Sequence, residues 1–141
     1  MGDMNNAYTV FKKGLGFDVD PNVQYVKTMV ESYGHSMLAL KKYEEALSFE
    51  SIYDSFCSHA DFVFLMGLIY MNNALFDEAI GQFLQATKLQ DYSVEGVNSY
   101  LSYYNIGVIY ECAGMPKEAI EYYKMCNNYE PALAGLQRIS K

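Results

Sequence analysis

Asp18 and Asp20, one residue apart, have the spacing with which carboxylates can share a divalent cation. Two aspartates alone do not make such a site, and a parallel sheet that would present them has to fit into the seventeen residues before them. The run Asp20-Pro21 reads instead as a helix entrance, with the carboxylate capping free amides and the proline at the first helical position. The two histidines, His35 and His59, are the next residues able to do acid–base or metal chemistry. A catalytic histidine needs a nucleophile and an orienting group in reach. Cys57 lies near His59 in sequence, but two ligands do not complete a tetrahedral zinc shell. The sequence contains no glycine-rich phosphate loop, nucleophile elbow or HExxH helix. These patterns predict no catalytic residue, metal site or cofactor in this chain.

The elements that would position a functional surface are set by a repeat between Asp61 and Cys126. Gly67, Tyr70, Ala79, Phe83 and Ala86 recur forty residues later as Gly107, Tyr110, Ala119, Tyr123 and Cys126. Small residues at those offsets fall where two antiparallel helices must approach, and the aromatics fill the space beside them. Such a unit cannot bury its apolar face alone, so a neighbouring unit has to cover it. Aligning Ala46 with Ala79 adds a weaker first unit, with Gly34 on Gly67 at a period of 33 residues. Glu50 stands there at the position of Phe83 and Tyr123, and a charge facing the core is costly. Either the first unit rotates slightly or Phe49 supplies its buried aromatic.

Apolar periodicity predicts helix pairs over 23–40 with 43–56, 61–71 with 76–89, and 94–112 with 118–126. The extra residues before the third pair are assigned to a longer first helix beginning at Val94, because Val97, Leu101, Tyr104 and Val108 keep one face apolar. Asn72-Asn73 and Gly114 supply turns, Pro116 opens the last second helix, and Pro131 opens a short closing helix over 131–140. Residues 1–21 read as a leader or as the remnant of a preceding repeat, since Ala7 and Phe11 echo the spacing of Ala79 and Phe83.

Hydrophobic residues make up 51% of the chain and charged residues 19%, a balance that argues for a packed domain rather than disorder. The net charge of −7 disfavours a nucleic-acid backbone or an anionic membrane surface as partner. No stretch approaches the length of a membrane span, and the visible start lacks a secretory pattern. Cys57, Cys112 and Cys126 are odd in number and widely spaced, which fits reduced packing thiols and predicts a cytoplasmic location.

The offsets resemble the tetratricopeptide repeat. Tyr103, Ile106, Gly107 and Tyr110 match its first-helix pattern, as do Val63, Met66, Gly67 and Tyr70; Ala119, Tyr123, Cys126 and Pro131 match its second. Asp91 replaces the proline in the middle unit. This resemblance implies an all-α, right-handed superhelix in a domain spanning 22–141, with repeats near 23–58, 60–91 and 94–130 and a capping helix over 131–140. Gly34, Ala46, Gly67, Tyr70, Ala79, Phe83, Ala86, Gly107, Tyr110, Ala119 and Tyr123 become its packing positions. It also implies a concave face lined by first helices. Binding positions there are His35 and Leu38, then Phe64, Leu68 and Met71, then Leu101, Tyr104, Val108 and Glu111, with Thr28, Glu31 and Asp61 beside them. Members that grip a peptide's terminal carboxylate use basic residues on this face. Asn105 fits their common asparagine, whereas Glu31, Phe64 and Tyr104 occupy the basic positions, which disfavours that clamp.

Residues 61–131 further resemble the repeat region that follows the catalytic domain in certain bacterial family-2 glycosyltransferases. Those transferases use a two-carboxylate spacing like Asp18-Val19-Asp20 for metal and sugar nucleotide. The expectation is a noncatalytic interaction or docking module, an accessory part of a larger bacterial protein. Its partner would be a protein or peptide segment, a neighbouring domain or a second copy; an acceptor-presenting region of a transferase and a self-association module are the alternatives.

Overall fold

Val26, Val30, Tyr33 and Met37 form a single buried stripe, and this stripe seats helix α1, Gln24–Ala39, on the rest of the chain. The computed structural model describes residues 24–140. The carboxylate pair Asp18 and Asp20, the helix entrance at Pro21 and the Ala7–Phe11 spacing lie outside the described residues.

The predicted helix over 43–56 is broken into three pieces: α2, Tyr43–Ala46, a 3-10 turn over Leu47–Ile52, and α3, Tyr53–Phe56. Ala46 and Phe49 are buried and Ile52 half-buried, three residues apart, and that spacing suits the three-residue turn of a 3-10 helix. Tightening the turn places Phe49 inward at 1% exposure and leaves Glu50 outside. The Glu50 carboxylate accepts a hydrogen bond from the Tyr70 hydroxyl at 2.9 Å. Phe49 is thus the buried aromatic of the first unit.

The next hairpin follows the predicted pattern, with α4 at Ala60–Asn72 and α5 at Phe76–Ala86, three residues shorter than expected. Asn73 ties the turn down by donating its amide to the carbonyls of Ile69 and Tyr43 at 2.8 and 2.7 Å. Helix α6, Tyr100–Cys112, α7, Pro116–Lys124, and α8, Glu130–Ile139, complete an all-α, tetratricopeptide-like arrangement; no strand occurs among the described residues.

The extended helix from Val94 is not formed. Gly96 sits at φ 96°, outside helical space, and the segment before it is held as a loop by side chains. The Asp61 carboxylate accepts the amides of Ser93 at 2.9 Å and Val94 at 3.1 Å, while Asn98 donates to the Leu89 carbonyl at 3.0 Å. Val97 is nevertheless buried, which is why its apolar character resembled a helix face.

What approaches the glycines is a side chain rather than a second helix backbone. A β-carbon on Gly67 would lie 2.6 Å from the Phe83 ring, and one on Gly107 would lie 2.6 Å from the Tyr123 ring. Gly34 is covered in the same way by Leu65 and Phe49. Each hairpin therefore closes by seating an aromatic of its second helix on a bare patch of its first. The two tyrosines at the ends of the first helices join units: Tyr70 packs against the first and second apolar clusters, Tyr110 against the second and third. Helix α8 closes the last unit with buried Ala132 and Gly135 and an exposed outer side at Leu133, Ala134 and Gln137.

Candidate functional site

Helices α1, α4 and α6, the first helices of the three hairpins, meet at a pocket of about 280 Å³. Helix α1 contributes Thr28, Glu31, Ser32 and His35, α4 contributes Asp61 and Phe64, and α6 contributes Leu101; Val94 and Val97 of the connecting loop complete the wall. Of the residues assigned to a binding face, His35, Phe64 and Leu101 line this pocket together. The valines come from the loop that sequence reasoning had assigned to a helix.

The remaining predicted face residues are spread along the same helices. Leu68 and Met71 pack half-buried against the cluster around Phe83, Tyr104 and Val108 against the cluster around Tyr123, and Leu38 against the first core. Glu111 is engaged within the fold: it accepts the Tyr123 hydroxyl at 2.6 Å and both Nη2 and Nε of Arg138, at 2.9 and 3.1 Å. The Arg138 bonds first, then the tyrosine, hold its carboxyl below the usual carboxylate range. Asn105 donates to the Leu101 carbonyl at 2.8 Å, so its amide serves its own helix. A larger, shallower hollow of about 600 Å³ lies between the turns at 41–45 and 72–74, and its walls are mostly charged and amide side chains.

The floor of the first-helix pocket holds a polar cluster that spacing alone did not reveal. His59, near Cys57 in sequence, lies beside Glu31 and Asp61. Its Nε2 lies 3.3 Å from Glu31 Oε2 and 3.8 Å from Asp61 Oδ1, and the ring is 1% exposed. Its Nδ1 lies 3.1 Å from Asp91 Oδ2, and Lys27 reaches the same oxygen at 3.2 Å. The His59 bond, then that of Lys27, holds the Asp91 carboxyl below its ordinary value. Burial, reinforced by the Asp61 charge, pushes the Glu31 carboxyl up to about 8. The signal that could have found this cluster is the period itself: Gly34 on Gly67 places Thr28 on Asp61, so Glu31 and Asp61 lie about one turn apart on adjacent first helices.

In the third hairpin Gly107, Ala119 and Tyr123 all occupy the buried seam their offsets require. Residues 100–133 match the family model of the tetratricopeptide repeat. No curated protein and no solved structure matches the chain significantly. The tetratricopeptide repeat is a noncatalytic fold that generally mediates protein–protein interaction. Within the matched residues, α6 supplies both the glycine that receives Tyr123 and the pocket residue Leu101. No helix among the described residues is long and apolar enough to cross a membrane.

Proposed function

We propose that this chain is a noncatalytic docking module whose first-helix face receives an apolar segment of a protein partner. The pocket between α1, α4 and α6 carries this reading, since Phe64, Val97 and Leu101 give it apolar walls in reach of polar groups that can orient a ligand. The net charge of −7 and the carboxylates at its floor favour a neutral or basic segment over an acidic one. Peptides selected on the intact chain from an unbiased library test it. They are expected to be rich in apolar and aromatic residues and to bind Leu101→Lys at least tenfold more weakly, by fluorescence anisotropy, while its helical circular dichroism is retained. Undiminished binding to that variant would remove the pocket as the docking surface.

The resemblance of residues 61–131 supports a narrower form of this reading, in which the module presents an acceptor to a family-2 glycosyltransferase domain of a bacterial protein. In that form the chemistry belongs to the other domain. These residues alone would then turn over no sugar nucleotide.

A further inference from the structure

We propose that Glu31, His59 and Asp61 bind a divalent transition-metal cation of the zinc class at the floor of the first-helix pocket. The donor atoms come from three segments, α1, the connection before α4, and α4 itself, and all lie within 4.8 Å of one another. Tetrahedral zinc with bonds of about 2.0–2.2 Å needs donors roughly 3.3–3.6 Å apart. The histidine nitrogen is already 3.3 Å from Glu31 Oε2 and 3.8 Å from Asp61 Oδ1, so two of the three separations are near that value, and the two carboxylates close on the ion when it binds.

The hydrogen-bonding contacts of His59 point the same way. Asp91 Oδ2 lies 3.1 Å from Nδ1 and also takes the Lys27 ammonium at 3.2 Å, so this contact assigns Nδ1 as its donor. This leaves Nε2 as the ring nitrogen beside Glu31 and Asp61, 3.3 and 3.8 Å from their oxygens. Neither that nitrogen nor Glu31 Oε2 makes a hydrogen bond, and the His59 side chain is 1% exposed. Buried polar atoms without a partner are costly, and one cation between them satisfies both. A carboxylate behind a histidine is the arrangement that orients metal-binding imidazoles elsewhere, and Asp91 occupies that place with Lys27 steadying it. The Asp61 carboxylate is likewise fixed by the amides of Ser93 and Val94. One nitrogen and two oxygens suit zinc, iron(II) or manganese(II), and the pocket bordered by Glu31 and Asp61 supplies an entry path.

The test is titration of the chelator-treated chain with zinc(II), followed by calorimetry and by the ¹⁵N shift of the His59 ring. One saturable zinc per chain is expected, with a displaced Nε2 resonance. Glu31→Gln should weaken binding at least tenfold while keeping the helical spectrum, and the positioning variant Asp91→Asn should weaken it 10- to 100-fold. The double variant Cys57→Ser with Cys112→Ser should bind as the parent does. No saturable binding at millimolar zinc, an unmoved His59 resonance, or Glu31→Gln binding like the parent would each overturn the proposal and leave a cluster that holds protons only.

Discussion

Tyr123→Ala is expected to lower the unfolding free energy by about 3–5 kcal/mol, the cost typical of emptying a fully buried aromatic site. Tyr123 is 0% exposed and fills space claimed by three helices. Its ring covers Gly107 of α6 on one side and Gly135 of α8 on the other, each at 2.6 Å from where a β-carbon would stand. The ring centroid is 5.9 Å from that of Tyr104, and the hydroxyl donates to Glu111 at 2.6 Å. Burial, then that bond, raises the phenol above its ordinary pKa, so it stays a donor throughout the physiological range. Truncation therefore opens a cavity bounded by two glycines that cannot fill it and releases one of the bonds that hold Glu111. A loss of about 3–5 kcal/mol should lower the melting temperature by on the order of 10 °C, readable by calorimetry. Tyr123→Phe separates the two contributions: it keeps the ring and should cost about 1.5–3 kcal/mol, the range for a hydrogen bond to a charged acceptor. If Tyr123→Ala cost no more than Tyr123→Phe, the ring would not be the keystone of the last hairpin.

Gly107→Leu is the second large effect, and its origin is opposite, since it adds volume where none is free. Even a methyl at this position would meet the Tyr123 ring at 2.6 Å, so a leucine must displace Tyr123 or separate α6 from α7. Overpacking of this kind costs roughly 1–3 kcal/mol, and more when the obstacle is itself pinned. The Tyr123 ring is pinned by Gly135 and Glu111 and has little room to yield. Lys88→Ala, at an exposed residue beyond the end of α5, should stay within about 0.5 kcal/mol of the parent. Equal urea midpoints for Gly107→Leu and Lys88→Ala would contradict the assignment of Gly107 to a packing seam.

The helical hairpins were legible in the sequence because their signals are local and repeated. Gly67 with Phe83 and Gly107 with Tyr123 sit at one fixed offset, and each pair meets in space. Three features escaped for identifiable reasons. The stretch 47–52 was read as α-helix because Ala46 and Phe49 also fit helical spacing, and only burial distinguishes a three-residue turn from a 3.6-residue one. Val94 to Ser99 was read as helix because the buried Val97 extends the apolar face of α6, whereas Gly96 and the reach of Asp61 from another helix decide the backbone. Gly135 as a second seat for Tyr123 has no counterpart at the repeat offset, because the closing helix packs once and is not repeated. Of the candidate site, Phe64, Leu101 and His35 were legible as one face. The Glu31–His59–Asp61 cluster was not, because its members meet only after neighbouring first helices pack side by side and the connection folds His59 beneath them.

The claim on which the architecture and its pocket-bearing face depend is that glycine is present on the first helices to admit a ring. A double-mutant cycle between Gly107→Ala and Tyr123→Leu measures this most directly, by urea unfolding of the four proteins. Alanine is normally the better helix former by about 0.5–1 kcal/mol, so a glycine kept only by chance should gain stability on replacement. With Tyr123 in place, Gly107→Ala is expected to cost about 1–3 kcal/mol; in the Tyr123→Leu background the same change should be neutral or stabilising, a coupling of at least roughly 1 kcal/mol. Effects that add within about 0.5 kcal/mol would show that the ring and the glycine act independently.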